Sequence, residues 1–196
     1  MLFTETTEVP QSALPVARLR DQLRLGRGFS DDAVQDELLA GFLHAAMAAI
    51  EGRTGKALLA RNFTLSLTSW RFPDRQPFPV APVSALLSVN LADRAGVQTP
   101  VPLSSLWLEL DAARPCLVAS GALPAIPSGG TVRIGFTAGF GPTWASVPPD
   151  LAQAVLMLAA HYHEYRHETG LDGGCMPFGV AALIERHRPL RLGAPA

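Results

Sequence analysis

The amino-acid sequence predicts an α+β fold in which a small helical core, made from N- and C-terminal helices, carries an inserted β-rich segment. Two observations lead there. Apolar residues recur at helical spacing over about residues 15–58 and again over about 149–188, whereas over about 61–141 the period falls to two and Pro and Gly become frequent. No internal repeat and no low-complexity tract subdivides the 196 residues, so a single domain with an insertion, plus a flexible tail at 189–196, accounts for the length.

The first residues show no clear period and read as disordered. Val16 to Leu25 then places Leu19 and Leu23 at i, i+4 and suits a short amphipathic helix stopped by Gly26 and Gly28. Ser30 reads as an N-cap, with Asp31 and Asp32 in a first turn whose dipole favours negative charge. The long helix that follows carries Leu38, Phe42, Ala45 and Ala49 as its apolar stripe, and Gly55 ends it.

In the β region Phe63, Leu65 and Leu67 alternate with Thr64, Ser66 and Thr68. Val83 to Leu91 gives a further strand, and Asp93-Arg94-Ala95-Gly96 a turn into Val97 to Leu103. Leu106, Leu108 and Leu110 alternate with Trp107 and Glu109, while Val132, Ile134 and Phe136 mark the last strand. The prolines between Arg71 and Pro82 predict an extended loop standing off the sheet, because proline cannot donate to a ladder. Pro149 or Asp150 starts a helix from Leu151 to about His167. Its first half is apolar nearly all round, so it is either the central core helix or is buried by a neighbouring subunit. After the loop Gly170 to Gly174, Pro177 opens a short helix with Val180, Leu183 and Ile184 on one side.

Composition narrows the function. Apolar residues make up 48% and charged residues 17%, below the roughly 25% usual in soluble domains, so either the core is generous or partners cover much of the surface. The longest compact apolar run, Leu151 to Ala160, is far shorter than the ~20 residues of a membrane span. No membrane partner is expected. The opening MLFTETTEVPQ has no basic stretch leading into an apolar one, so a cytoplasmic setting is the expectation. A net charge of −1 argues against binding that neutralises many phosphates. Cys116 and Cys175 are far apart and read as ordinary buried thiols, and Trp70, Trp107 and Trp144 as core or interface anchors. Gly135, Gly139 and Gly141 near Thr137 form a strand ending in a bend, since no Gly-Lys-Ser/Thr follows.

One string has the look of catalysis. His163-Glu164-Tyr165-Arg166-His167 fits H-E-x-x-H, in which two histidines one helical turn apart hold zinc and the glutamate activates water. A catalytic zinc also needs a third protein ligand. The extended pattern fails at Gly173, Asp172 is out of register by one, and Glu185 is the remaining candidate, so the metal reading is His163, His167 and Glu185 with Glu164 as base. The competing reading makes His161, His163 and His167 polar positions on the less buried half of a helix, beside Glu164, Arg166 and Glu168. That second reading is favoured, because little chain follows the motif to wall a substrate cleft.

Several strings in order resemble the head–tail connector (adaptor) family of long-tailed phages, including the adaptor of gene transfer agents. VARLRDQLRL precedes SDDAVQDELL. Glu51, Thr54, Gly55, Lys56 and Leu58 match the family's E-x-x-T-G-R/K-x-L, FTAGFG its final strand, and VPPDLAQAVLMLAAHYHEYR its last long helix. The resemblance spans roughly residues 15 to 190 and accounts for His161 to Arg166 without a metal. It implies a structural protein with no catalytic residue and no cofactor, in a ring of about twelve copies at the head–tail junction of a phage-like particle assembled in the bacterial cytoplasm, a tail-completion or stopper protein of the same particle being the alternative. DNA would pass through the channel without specific binding, the portal on one side and a tail or stopper protein on the other. The implied portal contact is the C-terminal region: Phe178, Leu183, Ile184, Arg186, Arg188, Leu190 and Arg191.

Overall fold

The computed structural model describes residues 1–25, 32–166 and 176–189. The α+β class holds, and the chain divides into two compact units. One comprises Met1–Val9 with Leu59–Pro142, the other Pro10–Leu58 with Thr143–Ala196.

The first unit is all β. Its strands are β1 (Leu2–Glu5), β2 (Arg61–Leu67), β3 (Arg75–Pro77), β4 (Val83–Ala92), β5 (Gln98–Pro100), β6 (Leu106–Glu109), β7 (Cys116–Ala119) and β8 (Thr131–Ala138). They form a five-stranded antiparallel sheet in the order β1-β2-β8-β4-β5 and a three-stranded sheet in the order β3-β7-β6. Alternation works as expected in β2 and β8, where Phe63, Leu65, Leu67, Val132, Ile134 and Phe136 are buried and their neighbours less so. Phe136 anchors the core, with the rings of Phe78, Phe63 and Phe3 at 4.6, 5.8 and 6.3 Å.

Three expectations are corrected here. The opening residues are ordered as β1, which antiparallel pairing with β2 and an ion pair from Arg61 to Glu5 (Nε–Oε2 2.8 Å) hold in place. The proline-rich segment is not a loop off the sheet. It enters the small sheet as edge strand β3, where Pro77 is tolerated, and buries Gln76, Phe78 and Val80. Val97 to Leu103 shortens to β5 and a 3₁₀ turn at Leu103–Ser105, although the preceding turn forms as read: Asp93 Oδ1 accepts from the Val97 amide at 2.9 Å and Gly96 takes φ +86°. The β region makes two sheets because β7, with Cys116, Leu117, Val118 and Ala119 all buried, supplies a central strand for the second.

The second unit holds α1 (Val16–Gln22), α2 (Asp32–Thr54), α3 (Pro149–Glu164) and α4 (Phe178–Ile184) among its described residues. Helix α3 is the core helix. Leu151, Ala154, Val155, Leu156, Leu158, Ala159 and Ala160 are buried, with α1, α2 and α4 packed around them. Leu19 of α1 and Val180 and Ile184 of α4 are buried as expected. The Ser30 cap, Asp31, Gly26, Gly28 and the Gly170–Gly174 loop lie outside the described residues, as do the Asp32 side chain and Cys175. Cys116 is buried, and its burial foremost pushes the thiol pKa up.

The stripe of α2 is also corrected, by one residue. Its buried line is Leu39, Leu43, Ala46, Met47 and Ile50, while Leu38 is 47% exposed and Ala45 is open to solvent. Both lines have helical spacing, and packing against α3 decides which of them goes inside. Leu39→Ala should therefore cost about 2–5 kcal/mol in urea unfolding, whereas Leu38→Ala should stay within about 1 kcal/mol.

Candidate functional site

Three of the strings that carry the resemblance do structural work that their residues explain. At the end of α2, Gly55 adopts φ +64° and its amide donates to the Glu51 carbonyl at 2.8 Å. Glycine takes that left-handed cap without strain. Thr54 Oγ1 donates to the Ile50 carbonyl at 2.8 Å and accepts from the Lys56 amide at 3.3 Å, and Glu51 Oε1 accepts from the Leu58 amide at 2.7 Å. The spacing Glu-x-x-Thr-Gly-Lys-x-Leu thus ties the helix end to the segment leaving it.

In FTAGFG, Gly139 has φ +131°, and a Cβ there would lie 2.5 Å from the Ala60 backbone. Its amide donates to the Pro82 carbonyl at 2.9 Å, and the Gly141 carbonyl accepts from the Ala60 amide at 2.8 Å. These bonds close the end of the large sheet. Nothing about them resembles a phosphate cradle.

Asp150, in the first turn of α3 behind Pro149, is the residue whose role the sequence did not disclose. Its Oδ2 meets His187 Nε2 at 2.7 Å and Arg186 Nε at 2.6 Å, which fastens the end of the described chain to the start of the core helix. Burial pushes the Asp150 pKa up, but the His187 hydrogen bond, the Leu151 amide and the charges of His187 and Arg186 outweigh it. The net shift is downward from the ordinary 3.8.

The H-E-x-x-H string is used for packing as far as it is described. His163 stands edge-on to Phe42 at 5.8 Å, and His161 lies 4.6 Å from the Tyr165 ring. His163 Nε2 lies 3.1 Å from the Arg166 guanidinium. Burial foremost, then the Arg166 charge, holds the His163 pKa below its ordinary value, against a smaller opposing effect of Glu164. Glu185 is engaged by Arg188 at 3.0 Å. His167 lies outside the described residues, and among the described residues no group of three or more His, Cys, Asp or Glu could hold a metal ion. Nor, among them, is any helix long and apolar enough to cross a membrane.

The C-terminal residues fall into distinct settings. Phe178 is 88% exposed at the start of α4, Leu183 is half-buried, and Ile184, 2% exposed, belongs to the core. Arg186 and Arg188 reach solvent while pairing with Asp150 and Glu185. Leu190 and Arg191 lie outside the described residues.

Solved structures match the chain over its full length. A chain in the neck of an empty gene transfer agent particle, computed with C6 symmetry, is 52% identical with a TM-score of 0.90, the match covering 100% of this chain and 99% of that one. A chain in the neck of the native particle, computed with C12 symmetry, gives 49% and 0.85 over the same shares. One from the virion of the native particle gives 53% and 0.87, again over 100% and 99%. The chain belongs to the head–tail connector (adaptor) family. No protein-family model and no curated protein matches it.

The connector strings therefore carry two predictions about stability. Asp150→Asn should lower unfolding free energy by about 1–3 kcal/mol at pH 7, a charged hydrogen bond being lost. Because the folded pKa is depressed, the wild-type advantage is complete above the unfolded value of about 3.9 and disappears as pH falls through the lower folded value. The gap between thermal melts of the two proteins should narrow as pH falls below about 4. Glu51→Ala, which strands the Leu58 amide, should cost about 1–3 kcal/mol by urea titration.

Proposed function

We propose that this chain is a structural neck subunit of a phage-like particle, forming a ring between portal and tail around the DNA channel, with no catalytic centre of its own. The observation that carries this reading is the full-length likeness, at 49–53% identity, to chains of gene transfer agent necks and virion. The C12 and C6 symmetries of those necks support self-association into a ring. Cyclic assembly of this kind needs two different flanks per copy that close on each other. A net charge of −1 suits a passage through which DNA slides without sticking.

Portal contact falls to the C-terminal region in this proposal. Phe178, Leu183, Arg186, Arg188, Leu190 and Arg191 make the contact, while Ile184 helps by seating α4 on the core helix. An exposed aromatic and arginines are residue types enriched at interfaces. The opposite side of the ring meets a tail or stopper protein.

A producing strain that lacks the gene should release DNA-filled heads without attached tails, with tailed particles restored by the wild-type gene. Phe178→Asp combined with Arg188→Glu should lower capture of the chain by purified portal rings at least tenfold while leaving its melting temperature unchanged. Normally tailed particles from the deletion strain would contradict the reading.

A further inference from the structure

Helix α2 has a second apolar face that is exposed along its described residues. At 100° per residue, Val34, Leu38, Gly41, Ala45, Ala48 and Gly52 share one side of the helix, with Phe42 and Ala49 along its margin. The first six are exposed, Val34 at 72% and Leu38 at 47%, and no charged or hydrogen-bonding side chain interrupts them. The exposed charged residues Glu37 and Arg53 border the face on its two sides. A 23-residue helix with apolar residues on opposite sides is built for two neighbours.

The glycines add an independent observation. Gly41 and Gly52 lie inside the helix, where glycine is less favourable than alanine, and among the described residues nothing outside the helix backbone comes within 4 Å of where their Cβ atoms would be. No packing among the described residues requires them. Missing side chains on an exposed helix face, flanked by Val34, Leu38 and Ala45, leave a shallow groove into which another backbone element can settle closely.

We propose that this outer face of α2 is one flank of the ring, covered by the next copy of the same chain. The inference rests on the ring reading above. A like copy is the favoured occupant because the face runs along most of α2, about 30 Å at 1.5 Å per residue, and is uncharged throughout. Each subunit of a cyclic ring must bury an extended flank of this kind against its neighbour, as the C12 and C6 symmetries of the related necks require. A portal or tail protein meets the ring at its ends.

The test places a photo-reactive phenylalanine analogue at Leu38 of the full chain and irradiates purified particles. Crosslinking to a second copy, giving a band at twice the mass of the chain, is the expected result. With the chain present in the necks, a crosslink only within one copy, or only to a portal or tail protein, overturns the assignment of this face and leaves the ring reading standing. Absence of the chain from purified particles overturns both. A second variant gives an independent readout. Gly41→Leu should melt at or above the wild-type temperature as an isolated chain, because leucine favours the helix, yet enter particles at least tenfold less. Gly41→Leu entering particles as well as wild type would also overturn the proposal.

Discussion

Helix α3 is buried around most of its circumference, with the side bearing Gln153 and Glu164 left to solvent, and the helical unit is organised by that constraint. Leu151, Ala154, Val155, Leu158 and Ala159 are buried over more of the helix circumference than one neighbour can cover, so α1, α2 and α4 all pack against it. The arrangement commits the line of α2 from Leu39 to Ile50 to the interior. It also draws α4 in through Val180 and Ile184. Asp150, at the start of the same helix, then holds Arg186 and His187, so the core helix also fixes where the C-terminal segment sets out.

The strings by which the chain is recognisable serve this closure. Glu51, Thr54 and Gly55 finish α2, Gly139 lets the end of the large sheet approach Ala60, and Asp150 fastens the chain end. Each satisfies backbone or charged groups that would otherwise be left without partners in a partly buried setting, which is costly. None of them needs a substrate, metal or cofactor to make sense. A chain whose most distinctive residues are spent on holding its own shape is suited to being a building block.

Much of this was legible in the sequence wherever one face is wet and the other dry. Strands β2 and β8 and the turn at Asp93 follow from alternation and local turn chemistry. Strand β4 alternates poorly because two register shifts against β8, at Val83/Ala85 and Leu86/Ser88, reset which residues face inward. Strand β7 is buried on both faces and only four residues long, so its run of apolar residues has no period to read. Strand β1 acquires its structure from a partner nearly sixty positions later, which local pattern cannot disclose. In α2 two lines of equal period competed, and the tertiary demand of α3 decided between them. The Asp150 contact spans the helical unit, so only the proline-marked helix start hinted that an acidic residue there mattered.

The central claim is that the molecule works through shape, as a repeated subunit in a neck. Cryo-electron microscopy of the neck of a particle containing this chain tests it most directly. The account predicts cyclically repeated density that fits this fold between portal and tail, with the C-terminal segment of each copy against the portal. Density for the neck fully accounted for by other chains, with this one found elsewhere in the particle or not at all, would contradict it.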